Sequence, residues 1–187
     1  FNLKTENRLD ITAENSNFNL LCLPVDNFPT FTEDFTKKDV IIERGKFLSL
    51  LNKTKISMSN DETRHYLNGI YIHPTVSNKR SYLTGVATDS HRLSSSSIPV
   101  ENIDNFKSFI LPKKTVFQLC NLLQESSENI SLNSSETKIQ FKIGKTRLVS
   151  KVIDGKFPDY RKVVPTSNNK ILTVPSKDFV NSIERVA

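Results

Sequence analysis

Apolar positions along this chain recur with two periods. Between 45 and 55, Phe47, Leu48, Leu50 and Leu51 fall on one side of a helix whose remaining surface carries Lys46, Asn52 and Lys53. Between 113 and 124, Val116, Phe117, Leu119, Cys120, Leu122 and Leu123 repeat the pattern. Both stretches predict amphipathic helices with one buried face. Runs with alternation or β-branching at 67–72, 82–88, 91–98, 129–132, 138–143 and 147–153 predict strands. A helix laid on one face of an antiparallel sheet, twice over, is an α+β arrangement.

The pattern also repeats itself. Residues 40–48, 109–117 and 172–180 align without a gap, each a short apolar strand, a break and an amphipathic helix. A longer-period match joins 20–29 to 149–158, with Phe28-Pro29 corresponding to Phe157-Pro158. Proline there removes a backbone donor and keeps its predecessor out of helical space, so both dipeptides read as linkers. The expected organisation is the end of one domain at 1–27, a complete middle domain with flanking linkers at 28–165, and the start of a third at 166–187. The chain opens on Phe1 and closes within a helical pattern, which fits an internal fragment of a longer protein.

Composition narrows the class. The 187 residues are 36% hydrophobic and 25% charged, within the globular range. No stretch approaches the roughly 20 consecutive apolar residues of a bilayer span, and Phe1-Asn2-Leu3-Lys4 lacks the order of a signal peptide. Cys22 and Cys120 have no second ligand at zinc-binding spacing, so a disulfide scaffold or structural metal is disfavoured and a reducing cytoplasm is expected. Lys and Arg exceed Asp and Glu by 26 to 20, a net +6 that permits a polyanionic partner without requiring one.

The placement of the cations is more informative than their number. Arg44 and Lys46 open the first helix, and Lys113 and Lys114 open the second. A cation at a helix N-terminus is disfavoured by about 0.3–1 kcal/mol, so its recurrence at matching positions points to a task such as holding phosphates. The third copy follows the ordinary rule, with Ser176 placed as a cap and Asp178 in the first turn. Arg64-His65-Tyr66 adds a cation beside two rings, a combination able to touch phosphates or stack on bases.

Thr88-Asp89-Ser90-His91-Arg92-Leu93 contains every residue type of a hydrolase triad. Triads converge from distant chain positions, however, and in extended chain Ser90 points away from its two neighbours. No glycine-rich phosphate loop and no metal-ligand spacing is present, so neither a cofactor nor a metal is expected.

Three long motifs resemble the beta subunit of bacterial DNA polymerase III, the sliding-clamp family. They are Ile56-Ser57-Met58 running into Arg64-His65-Tyr66-Leu67-Asn68-Gly69, then residues 86–93, Val86 to Leu93, then residues 150–165, Ser150 to Pro165. The resemblance implies a DNA-clamp fold: three similar domains per full-length chain, each of two half-units, with two chains closing into a homodimeric ring around double-stranded DNA. It implies a non-enzymatic processivity factor whose lining includes Arg44, Lys46, Arg64, His65, Tyr66, Lys113 and Lys114. It further implies a pocket for partner peptides walled by Leu67, Thr88, Ser90, His91, Arg92, Leu93, Pro158, Lys162 and Val163. The implied partners are the polymerase III catalytic subunit, the clamp loader, and other polymerases and repair proteins carrying a clamp-binding motif. Ser90 stands where the family often has Gly, narrowing the pocket floor, Lys162 where Arg is common, and His65 where Tyr is frequent. The segment 73–80 is expected as a long loop. Two rival readings are a basic DNA-binding regulator with sequence preference and a Ser90/His91 hydrolase.

Overall fold

Three strands begin the chain: β1 (Asn2–Thr5), β2 (Arg8–Ala13) and β3 (Ser16–Leu21), paired antiparallel in that order. They belong to the first of two compact units, 1–38 and 39–187, in a computed structural model that describes residues 1–5, 7–28, 35, 39–101, 103 and 106–186.

The second unit is built from two half-units. The first runs β4 (Val40–Ile42), α1 (Arg44–Thr54), β5 (Gly69–Ser77), β6 (Arg80–Thr88) and β7 (Leu93–Pro99). The second runs β8 (Phe109–Pro112), α2 (Lys113–Glu125), β9 (Ile130–Ser134), β10 (Lys138–Ile143) and β11 (Thr146–Lys151). The halves exchange their first strands. One antiparallel sheet has the order β11-β10-β9-β4 and the other β7-β6-β5-β8, so each half completes the other's sheet. In register, Ile42 faces Ile130 and Gly69 faces Pro112. At Gly69 a Cβ would collide with the Leu111 carbonyl, so the close passage of β5 and β8 requires glycine there.

α1 and α2 pack against each other, α1 resting also on β6 and β7 and α2 on β5 and β8. Arg44 Nη1 donates to the carbonyl of Leu123, in the last turn of α2, at 2.6 Å. The pair is therefore antiparallel, with the two N-terminal turns at opposite ends. Phe47, Leu50 and Leu51 of α1 and Val116, Leu119 and Leu123 of α2 are buried in the main core, where the Phe47 ring meets Phe141 of β10. The buried faces follow the periodicity that the apolar positions predict except at Phe117, which is 44% exposed because it lies at the edge of the α2 face defined by Val116, Leu119 and Leu123.

The other face of the β5–β8 sheet carries a smaller cluster. Period-two alternation puts Tyr71, Val86 and Ile110 on that face, and Leu67 and Phe157 close over it. The Phe157 ring lies flat on Tyr71, centroids 4.9 Å apart and planes 8° from parallel. Its counterpart Phe28 is 74% exposed, so the two matched phenylalanines sit in different environments.

Several boundaries differ from the sequence expectations. Leu67 closes a 3₁₀ turn, Glu62–Leu67, rather than opening a strand, and His91 precedes β7. The segment 73–80 is no long loop: β5 and β6 stay paired to Ser77↔Arg80, joined through Asn78 and Lys79 at φ +50° and +60°. Two consecutive positive φ values define the tight hairpin turn that matches strand twist, and Asn-Lys in place of Asn-Gly hides that turn in the sequence. Ser176 does not cap α3 (Ser176–Glu184). The cap position is Pro175, with no capping side chain, as at Glu43 and Pro112 before the other two helices. The described residues from 161 onward are exposed, and α3 buries none of its side chains. No helix among the described residues is long and apolar enough to cross a membrane.

Candidate functional site

A pocket of about 600 Å³ opens on the face of the β5–β8 sheet away from the helices. Thr88 ends β6 and Leu93 begins β7, directly opposite each other in the ladder, so alternation sends both side chains to the same side as Val86. Leu67 arrives from the 3₁₀ turn before β5, and Pro158 and Val163 from the segment that crosses the sheet after β11. Ser90, His91 and Arg92 complete the wall from the turn between β6 and β7.

Eight of the nine side chains expected around the pocket line it. Lys162 does not: its Nζ lies 3.6 Å from Asp159, on the turn Tyr160–Lys162, and the side chain is largely exposed. Asp159, Tyr160, Val164 and Pro165 also line the pocket; all four belong to the 150–165 motif but were not among the side chains expected in its wall. Their contribution depends on the short turn that reverses the chain at 160–162.

The 88–92 turn is tightly organised. Thr88 Oγ1 donates to the Arg92 carbonyl at 2.8 Å and accepts from the Ser90 amide at 3.2 Å. Asp89 accepts the amides of His91 and Arg92 and the Arg92 Nε, each at 3.0 Å. Those amides, Arg92 first, hold the Asp89 carboxyl at about 2. Ser90 takes φ +78° and accepts from Arg64 Nη1 at 2.6 Å. Asp89 is thus occupied by its own turn and Ser90 Oγ by a cation, the opposite of a base-activated nucleophile.

Behind Tyr160 lies a stack of rings. His73 is stacked on Tyr71 at 4.7 Å and its Nε2 lies 3.2 Å from the Tyr160 hydroxyl, while Nδ1 lies 3.1 Å from the Pro74 carbonyl. A carbonyl can only accept, so Nδ1 carries the proton and Nε2 accepts from Tyr160. Burial lowers the His73 pKa, and the bond to Pro74 opposes the shift.

The helix face presents the cations differently from one another. Lys114 is exposed at the first turn of α2. Lys113 bonds Asn60 through Nζ and its amide bonds the Asn68 carbonyl at 3.1 Å. Lys46 pairs with Glu43 at 2.5 Å on the exposed side of α1. Arg44 is half-buried and engaged by Leu123, so part of its guanidinium serves the helix pair. Neither α1 nor α2 has an acidic residue in its first turn. Arg64 pairs with Asp61 at 2.8 Å, and His65 Nε2 donates to the Asp154 carbonyl at 3.1 Å. Tyr66 is half-buried against the smaller cluster, where Gly155 at φ +147° passes so close that a Cβ would lie 3.1 Å from the Tyr66 Cβ. Among the described residues no three His, Cys, Asp or Glu side chains gather as a metal site.

The family model for the central domain of the DNA polymerase III beta subunit matches residues 41–159. The chain belongs to the DNA polymerase III beta subunit family. A beta sliding clamp of Caulobacter vibrioides is 38% identical over 96% of this chain and 49% of its own length. One of Rickettsia bellii is 37% identical over 96% and 47%. The chain thus spans about half the length of the curated relatives it matches. Among solved structures, a Caulobacter crescentus beta sliding clamp superposes with a TM-score of 0.93 at 36% identity, covering 98% of this chain and 49% of that one. A Bartonella birtlesii sliding clamp bound to griselimycin gives 0.88 at 36%, covering 95% and 48%. The α+β fold of this beta-subunit chain is therefore that of the sliding clamps.

Proposed function

We propose that this chain is the central part of a non-catalytic processivity factor, a homodimeric ring that encircles double-stranded DNA and tethers polymerases through a peptide pocket. The observation that carries the reading is the division of labour across one sheet. Two helices whose first turns hold cations and no acids cover one face, and a pocket mixing apolar walls with Arg92 and Thr88 opens on the other. Lys46, Lys113 and Lys114 on the helices, with Arg44 at the start of α1 and Arg64, His65 and Tyr66 in the 3₁₀ turn whose neighbour Asn68 bonds the Lys113 amide, form the DNA-facing set. Their contact with phosphates is sequence-independent and lets the ring slide.

The pocket takes a short segment with bulky apolar side chains and a Gln from the polymerase III catalytic subunit, the clamp loader, and other polymerases and repair proteins. Leu67, Leu93, Pro158 and Val163 supply apolar contact, Thr88, Ser90, His91 and Arg92 the polar rim, with Lys162 at the margin. A weak peptide contact suffices, because a tether acts by raising local concentration. The proposed organisation is 1–27 from a first domain, 28–165 as the middle domain and 166–187 from a third. The test is topological: the full-length protein is retained on closed circular duplex and lost when the circle is cut. Equal retention on both, or preference for one duplex sequence, overturns the ring.

A further inference from the structure

Arg64 stands between the two surfaces on which the clamp reading relies, and the present inference rests on that reading. Asp61 anchors it: the carboxylate accepts from the Thr63 amide at 2.9 Å, from Thr63 Oγ1 at 2.6 Å and from Arg64 Nε at 2.8 Å. The same guanidinium extends Nη1 to Ser90 Oγ at 2.6 Å. The adjoining Asn60 and Asn68 bond Lys113 at the first turn of α2, so one short segment touches both the cationic helix end and the pocket turn.

Ser90 lies at the tip of that turn with φ +78°, a conformation L side chains rarely adopt. Bonds from Thr88 and Asp89 hold the turn from within, while the bond from Arg64 ties its tip to another element. A glycine at this position would need no such support and would offer no acceptor. The Arg64 side chain is partly exposed and presents a planar cation with several N–H donors. A guanidinium bonds an anionic phosphate more strongly than a neutral hydroxyl, so a backbone phosphate within its reach displaces Ser90.

We propose that Arg64 is a positioning residue that couples the two surfaces negatively. With its guanidinium on Ser90 the turn is held as a wall of the peptide pocket. With the guanidinium drawn onto a DNA phosphate the turn is released and peptide binding weakens. By linkage, a bound peptide weakens the hold on DNA by the same factor.

The experiment uses the full-length protein and a fluorescent synthetic peptide carrying a Gln and bulky apolar side chains. Peptide affinity is measured at one ionic strength with and without a saturating short duplex of random sequence. In the wild type the duplex is expected to lower peptide affinity about fivefold, at the lower end of ordinary coupling energies. In Ser90→Gly and in Arg64→Gln the ratio should fall to one. The ratio is read within each variant, so a change in that variant's own affinity does not enter, and melting curves check that each is folded. A wild-type ratio of one, or an undiminished ratio in Ser90→Gly, overturns the coupling. If the wild type binds neither peptide nor duplex, the clamp reading falls and the coupling with it. If it binds both independently, the coupling alone falls.

Discussion

Arg44, the first residue of α1, donates to the carbonyl of Leu123 in the last turn of α2 at 2.6 Å. The bond satisfies a carbonyl at the helix end, places a cation against the negative end of that helix, and sets the two helices antiparallel.

From this bond we expect Arg44→Ala to lower stability by about 1.5–3 kcal/mol, the range for a hydrogen bond to a charged group. Chemical denaturation of the wild type and the variant checks it. Lys114→Ala, at an exposed position of α2, should leave the midpoint within about 0.5 kcal/mol of wild type.

The DNA-facing role is tested by salt dependence. In a complete ring, replacing Lys113 and Lys114 by Ala should flatten the slope of log affinity against log salt by up to about 0.9 per lost phosphate contact. Lys113 also bonds Asn60, so a stability loss confined to Lys113→Ala is expected. An unchanged slope in the double variant would make both lysines ordinary surface residues.

The pocket is tested by two residues of different burial. Leu93 is half-buried and packs against the smaller cluster, so Leu93→Ala should weaken peptide binding and lower Tm together. Val163 is 70% exposed while lining the pocket, so Val163→Ala should weaken binding at unchanged Tm. Calorimetric titration and melting curves on both variants check this. Wild-type affinity in a folded Leu93→Ala protein would misplace the pocket.

His73 predicts the pH dependence. Its pKa is lowered from 6.5 by burial, so the unfolded chain takes up a proton as pH falls through 6.5 while the folded chain does not. Stability should therefore decline as pH drops below 6.5, and the decline should stop once pH passes the folded value. Asp61 and Asp89, held at about 2, contribute fully above the ordinary 3.8 and lose that contribution only as pH falls toward 2, outside this window. Urea midpoints at pH 7.5 and 5.5 should differ in the wild type and converge in His73→Gln.

What the sequence determined by itself is the set of elements. Phe47, Leu50 and Leu51 recur at the helical period, and Ile70 and Ile72 alternate with Tyr71 between the two faces of β5, because a residue's burial in a regular element depends on its near neighbours in the chain. The motif residues likewise marked most of the pocket wall, since Thr88 to Leu93 form one turn and reach it together. Tertiary structure alone decided which elements meet. The exchange of β4 and β8 between sheets, the bond from Arg44 to Leu123, the hydroxyl of Tyr160 on His73 and the guanidinium of Arg64 on Ser90 join residues between 26 and 92 positions apart. No period carries that information. Such partners are chosen by which arrangement closes the core and satisfies buried polar groups at once, a condition on the whole packed unit rather than on any stretch of it.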